Sequence, residues 1–350
     1  MAIDPKILEQ LRQEPDMPQL DLGWLGAQTA PGIAAKPGRR GLTLAEINVG
    51  DYGDAPERSD HNTIRIRGSV PSPNAVRIGY FIPNKGDIWS DNSGRIYEEA
   101  VQRQWSSATD IPWDTIQPLP DVVEEAICQI CTFLTEVEFV AGDAPGRWIG
   151  QISPDHFETA LFLITQVVDE ARHLDVFRKR ALANGCGLLE AGGMGRALRN
   201  IMDAKDFSEM SALMHLVGEG FVQTMFRTGE FIATNEAEKT IFQLCAQDES
   251  RHVGFGVMHL RYVLEHQPER REEFHSYLDK AEELFGHPTS ANVAFQESLM
   301  ITLGGGDTDK GLVMLMALQK KQVTEYLHRL KVAGMPERRE RLHPGMAMFL

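Results

Sequence analysis

The sequence predicts an all-α protein: a four-helix bundle core, further helices behind it and an irregular N-terminal arm in front. Three observations lead there. Helical periodicity starts at Asn92 and persists to about residue 332, whereas residues 1–94 are punctuated by Pro and Gly (PGIAAKPGRRG, GDYGDAPERSD, GSVPSPNAV). Several helical stretches exceed about 20 residues without heptad regularity and are joined by short loops, which is the pattern of a bundle. Two nearly identical strings, Asp169-Glu170-Ala171-Arg172-His173 and Asp248-Glu249-Ser250-Arg251-His252, sit in the middle of two of those helices, 79 residues apart.

After a short opening helix, alternation at 63–67 and 76–80 allows at most two short strands in the arm. Helices are expected at 94–108 and 121–141, with Gly142 to Gly150 as a loop. Ser153-Pro154 reads as an N-cap followed by Pro at the first helical position, opening a helix to about 184. Gly192-Gly193 breaks the chain. Further helices fit 206–233, 236–266, 269–285, 289–303 and 309–332. This divides the chain into an arm (1–94) and a helical domain (95–350), the latter with a metal-binding bundle at 120–265 and C-terminal helices at 269–332.

Composition bounds the function. The 350 residues are 42% hydrophobic and carry a net charge of -15, enough apolar material for a large core and the wrong sign for a general nucleic-acid or anionic-membrane binder. No run of ~18 apolar residues is present to span a bilayer, and MAIDPKILEQ lacks a signal pattern. Four cysteines make no disulfide framework, so a reducing, cytoplasmic setting is expected.

Glu and His at i and i+3 project from one helical face, so each string can offer both side chains to one metal. Apolar neighbours place them inward. Glu170 follows Phe162, Leu163 and Val167 on its stripe, and Glu249 follows Ile241, Phe242 and Cys245. A buried carboxylate must be paired, protonated or metal-bound, and a His three residues on in both copies favours metal. A dinuclear site in a bundle needs a carboxylate from each of the two other helices. Glu138 follows the stripe Ile127, Ile130, Cys131, Leu134, whereas Glu136 follows Glu125, Cys128, Gln129, Thr132; Glu138 is the ligand and Glu136 is surface. Glu219 lies 30 residues before Glu249, much as Glu138 lies 32 before Glu170, while Glu230 is too near its partner for two antiparallel helices to bring both level. The candidate metal ligands are thus Glu138, Glu170, His173, Glu219, Glu249 and His252. Four carboxylates and two neutral imidazoles balance two divalent cations, and the O/N donor set suits Fe or Mn.

These motifs resemble the ferritin-like dinuclear carboxylate superfamily over residues 120–265. The Asp-Glu-x-Arg-His strings are most similar to those of bacterial multicomponent monooxygenase hydroxylase subunits, and Glu138-Phe139 resembles the Glu-Tyr of that group. The chain departs at Gln223, where that group has Thr, with Thr224 one place on. The resemblance implies two Fe ions, with Mn/Fe also compatible. It further implies O2-dependent oxidation of a small organic substrate: hydroxylation first, N-oxygenation or desaturation next. An electron-donating reductase or ferredoxin would be needed, and a homodimer is compatible. It also implies that Asp169 and Asp248 each serve the ligand His of the other string, with Arg172 and Arg251 balancing charge. His215, one turn before Glu219, reads as a neighbour of the site or a core histidine.

Competing readings are a ferroxidase or iron store, a scaffold with a structural metal, and a metal oxidase like the ribonucleotide reductase small subunit. Storage proteins of this superfamily are about half as long. The reductase subunit usually stores a radical on a Tyr where this chain has Phe177, and no Tyr occurs between Tyr97 and Tyr262. Cys128-Gln-Ile-Cys131 and Val313-Met314-Leu315-Met316 read as core, and Gly304-Gly305-Gly306 as a turn.

Overall fold

The computed structural model describes residues 33–60, 62–184, 186–190, 195–286 and 293–350, with positions 6, 9, 10 and 13. Among the described residues no strand forms, only three isolated bridges: Gly38 with Gly41, Arg58 with Asn84 and Ile82 with Ile152. The helices are α1 (Leu44–Ile47), α2 (Ser93–Gln102), α3 (Asp121–Ile149), α4 (Phe157–Ala183), α5 (Gly195–Met202), α6 (Phe207–Ser211), α7 (Glu219–Ile232), α8 (Glu236–His266), α9 (Arg271–Gly286), α10 (Val293–Gly304), α11 (Thr308–Val332) and α12 (Pro344–Ala347). A π-helical segment, Ala212–Gly218, joins α6 to α7. Among the described residues no helix is long and apolar enough to cross a membrane.

The bundle is α3, α4, α7 and α8. α3 packs along α4, α7 along α8, and α4 meets α8. The α10–α11 pair lies outside it, α10 against α3 and α11 against α7. The arm runs over α2, α4 and the turn before α4. Leu44 N–H donates to Glu98 (2.9 Å), Asn48 to Glu158 (2.6 Å) and Ser59 to Asp155 (2.8 Å), and Arg67 pairs with Glu158.

Polar side chains fix the helix starts. Ser153 Oγ accepts from Asp155 N–H ahead of α4, through the 3-10 turn Pro154–His156. Asp206 caps α6 and Asn235 caps α8 in the same way.

Several expectations need correction. The loop expected at 142–150 is helix: α3 runs through Gly142, Pro145 and Gly146 to Ile149. Proline removes one helical hydrogen bond and each glycine lowers propensity, but packing overrides both. Pro145 is buried. Gly142 lets α4 approach so closely that an added Cβ would stand 3.4 Å from Glu170 Cβ. No strand forms at 63–67 or 76–80; Ile64, Ile66, Val76 and Ile78 keep the alternation but are exposed, with no neighbouring strand among the described residues to bury them. The first helix stops at Gln102, and Trp105 then turns inward. The span 206–233 is helical but broken in type by the π segment. Of the Met-rich stretch only Leu315 is buried, with Val313 and Met316 on the surface. Gly305 and Gly306 take positive φ in a turn, as expected. The opening helix lies mostly, and Gly192-Gly193 wholly, outside the described residues.

One buried ion network ties three bundle helices together. Arg180 of α4 bonds Glu124 of α3 (2.7 Å) and Glu238 of α8 (2.6 Å) and is 2% exposed. Removing one partner of such a network strands the others without solvent. Arg180→Met should therefore lower the unfolding free energy by about 3–5 kcal/mol in urea titration; an unchanged midpoint would show that Glu124 and Glu238 find other partners.

Candidate metal centre

All six predicted ligand residues converge between the four bundle helices, each 4% exposed or less. α3 contributes Glu138, α4 Glu170 and His173, α7 Glu219, and α8 Glu249 and His252. Glu138 is buried and Glu136 only half-buried, and Glu230 stands away from the group. The six form two overlapping sets: Glu138, Glu170, His173 and Glu249, and Glu170, Glu219, Glu249 and His252. In each set one donor atom per residue lies within 4.8 Å of the others. Glu170 and Glu249 belong to both, so the repeat generates a pseudo-symmetric pair of candidate ion sites with two shared carboxylates.

The atoms at the centre have too few partners. Glu138 Oε1, Glu219 Oε2 and both Glu249 carboxylate oxygens are buried without a hydrogen bond. Such groups cost several kcal/mol each unless a charge of opposite sign joins them. Carboxylate and imidazole donors turned toward one point are what divalent iron or manganese takes, so the residues present fit two such cations.

Burial, then the charge of Glu170, pushes Glu138 well above the usual carboxylate range; burial does the same to Glu219. Burial also opposes ionisation of Glu170, but His252 and His173 outweigh it and hold that carboxyl low.

Both clustered imidazoles are oriented from behind. His173 Nδ1 lies 3.1 Å from Glu170 Oε2, and its Nε2 lies 3.3 Å from Asp248 Oδ2. His252 Nδ1 lies 3.0 Å from Glu170 Oε1, and its Nε2 lies 3.3 Å from Asp169 Oδ2. Each Asp thus meets the His of the other string. With a cation at the centre, an Nε2–H donated to Asp would leave Nδ1 as a lone pair for it. Arg172 bonds Asp169 and, at 3.1 Å, Asp248; Arg251 bonds Asp248 and, at 2.8 Å, Asp169. Two acids and two guanidiniums therefore form a neutral quartet across α4 and α8.

Sequence reasoning missed three side chains. Gln166, one turn before Glu170, donates Nε2–H to Glu219 Oε1 at 2.8 Å. Its oxygen faces His215 Nε2 at 3.2 Å, and Ser211 Oγ lies 2.8 Å from His215 Nδ1. His215 therefore reaches Glu219 through Gln166 and is not itself among the clustered donors. Burial, with His252 nearby, holds its pKa well below the usual histidine range. Trp105 donates Nε1–H to Asp248 Oδ2 at 2.8 Å. Gln166 shares the stripe of Glu170 and was detectable from periodicity. Trp105 lies 143 residues from Asp248, and no local pattern links them.

Other motif residues stand apart. Thr224 bonds Glu325 of α11 and the Gly220 carbonyl, away from the centre. Phe139 is 65% exposed and points outward. Cys128 and Cys131 are free and buried, and burial pushes the Cys131 thiol up to about 12, which suits packing.

A cavity of about 440 Å³ opens beside the centre, with Glu138, Glu219 and Glu249 in its wall. The rest is mostly apolar, from α3, α7, α10 and α11, and the C-terminal stretch brings Met346 and Phe349 to it.

No protein-family model and no curated protein matches the chain. Solved structures do. An R2-like ligand-binding oxidase with an aerobically reconstituted Mn/Fe cofactor is 19% identical, with a TM-score of 0.54 over 70% of this chain and 93% of its own. An R2-like ligand-binding oxidase with an aerobically reconstituted metal cofactor, after photoconversion, is 16% identical, with a TM-score of 0.54 over 71% of this chain and 95% of its own. The chain therefore has the ferritin-like helical fold that R2-like ligand-binding oxidases share.

Proposed function

We propose that the protein is an O2-dependent dinuclear metal oxidase that oxidises a small organic substrate, with hydroxylation as the leading reaction and N-oxygenation or desaturation as the next. The observation that carries this is the apolar cavity of about 440 Å³ walled by three of the clustered carboxylates. Its size falls within the ~300–1,000 Å³ range of small-molecule sites, whereas an iron store has no use for an apolar chamber beside its metal. Glu138 and His173 would hold one ion, Glu219 and His252 the other, and Glu170 and Glu249 both. Two Fe ions, or Mn with Fe, would supply the activation of O2 there.

The protein's own residues do the remainder. Asp169 and Asp248 set the imidazole tautomers, and Gln166 fixes the rotation of Glu219. The apolar wall binds the substrate and keeps water from the reacting carbon. Hydroxylation converts C–H and O2 into C–OH and water with two electrons and two protons, which a reductase or ferredoxin would deliver. The four cysteines are free, in keeping with a reducing compartment.

A single aerobic turnover of Fe(II)-loaded protein under 18O2 with candidate substrates tests the reading. Labelled product supports an oxygenase. Unlabelled unsaturated product supports a desaturase. A ferric mineral core without organic product would make it a ferroxidase.

Anaerobic loading of the wild type should approach two metals per chain by elemental analysis. Glu138→Ala should lose metal, while Glu136→Ala should keep both; the reverse result would place the inward face of α3 wrongly. Asp248→Asn keeps the side-chain shape and removes the charge behind His173. It should weaken metal binding about 10–100-fold without abolishing it. Wild-type affinity in that variant would reduce Asp248 to a structural partner of Arg251.

A further inference from the structure

Three side chains of α11, a helix outside the bundle, reach the stretch that carries Glu219. Gln322 Nε2 donates to the Phe221 carbonyl at 3.0 Å. Glu325 accepts from Thr224 Oγ1 at 2.5 Å, and Arg329 Nη2 donates to the Leu216 carbonyl at 3.4 Å. Spacings of three and four put all three on one face of α11.

Arg329 is the unusual member. It is 8% exposed, its Nε has no acceptor, and among the described residues no carboxylate lies within ion-pair distance. Glu325, one turn earlier, acts on it only from beyond ion-pair distance and is itself bound to Thr224, and a buried guanidinium without a paired carboxylate is costly. Its place is made by Gly220, the residue after Glu219: a Cβ there would stand 2.3 Å from Arg329 Nη2 and 2.6 Å from Cζ. Its acceptor, Leu216, lies within the π segment Ala212–Gly218. A π turn departs from the i→i+4 ladder and is held by its surroundings. Each residue gained or lost in a helix rotates the rest of that helix by about 100°. Collapse of the π segment to α geometry would therefore swing Glu219 away from Glu249 and His252.

We infer that Arg329 is a positioning residue for Glu219: by holding the Leu216 carbonyl it keeps the π turn, and the π turn aims the carboxylate at the centre. The inference rests on the reading of the cluster as a two-ion site, and it predicts an asymmetry. Losing Arg329 disturbs the ion held by Glu219 and His252 and spares the ion held by Glu138 and His173.

The test is titration of metal-free full-length protein with Co(II), following the d–d absorption to obtain two binding constants. Wild type should bind two equivalents; failure to do so overturns the two-ion reading itself. Arg329→Met should weaken one equivalent about 10–100-fold and leave the other unchanged, and Arg329→Lys, which keeps a donor, should recover part of the loss. Unchanged constants in Arg329→Met, or equal weakening of both, would overturn the inference, the latter because it marks general loosening. Should Arg329→Met not fold, Gly220→Ala displaces the guanidinium with one methyl group. It must show the same selective loss, and two intact equivalents there would overturn the inference equally.

Discussion

Four carboxylates pressed together in the dry centre of a helical bundle repel one another, and the layers around them fix their positions while leaving most of that charge uncompensated. The two imidazoles come first, each with its Nδ1 atom 3.0–3.1 Å from an oxygen of Glu170. Behind them stands the Asp–Arg quartet, which contributes no net charge and so orients the ligands without altering the charge at the centre. A third layer is neutral, the Ser211–His215–Gln166 chain that ends on Glu219. The arrangement is poor for stability when nothing binds it and well suited to a pair of divalent cations. Residues at functional sites often stand in that relation to the fold.

Most of this was legible in the sequence because the two strings repeat and a helix has a fixed period. Glu138 was separable from Glu136 by its stripe alone, and the structure buries the first and not the second. The exchanged pairing of Asp169 with His252 and Asp248 with His173 came from family resemblance and not from spacing, because it depends on how two helices are set beside each other. The illegible parts share one cause, the dominance of tertiary packing over local preference. Pro145 and its flanking glycines read as a break, yet a buried proline against a closely packed neighbour stays in the helix. The π segment has no local signature in Ala212–Gly218, and the side chain that bonds it, Arg329, comes from a helix more than one hundred residues later.

The C-terminal helices extend the centre outward. α10 and α11 wall the cavity that the bundle alone would leave open, and Met346 and Phe349 reach its rim from the last described stretch. Under the proposed function, the shape that a substrate would meet is set largely by residues outside the clustered donors. Change in those helices can alter what is oxidised while the donor set stays fixed, which is how a shared fold supports different substrates.

The exchange of aspartates between the two strings also bears on assembly. Neither half of the bundle contains a complete ligand: α4 carries His173 but not the acid that sets its tautomer, and α8 carries His252 with the same deficit. Both histidines gain their facing acid through the same contact, the packing of α4 on α8. Under the proposed function the two ion sites would therefore be completed together, by one packing event between helices that lie far apart in the chain.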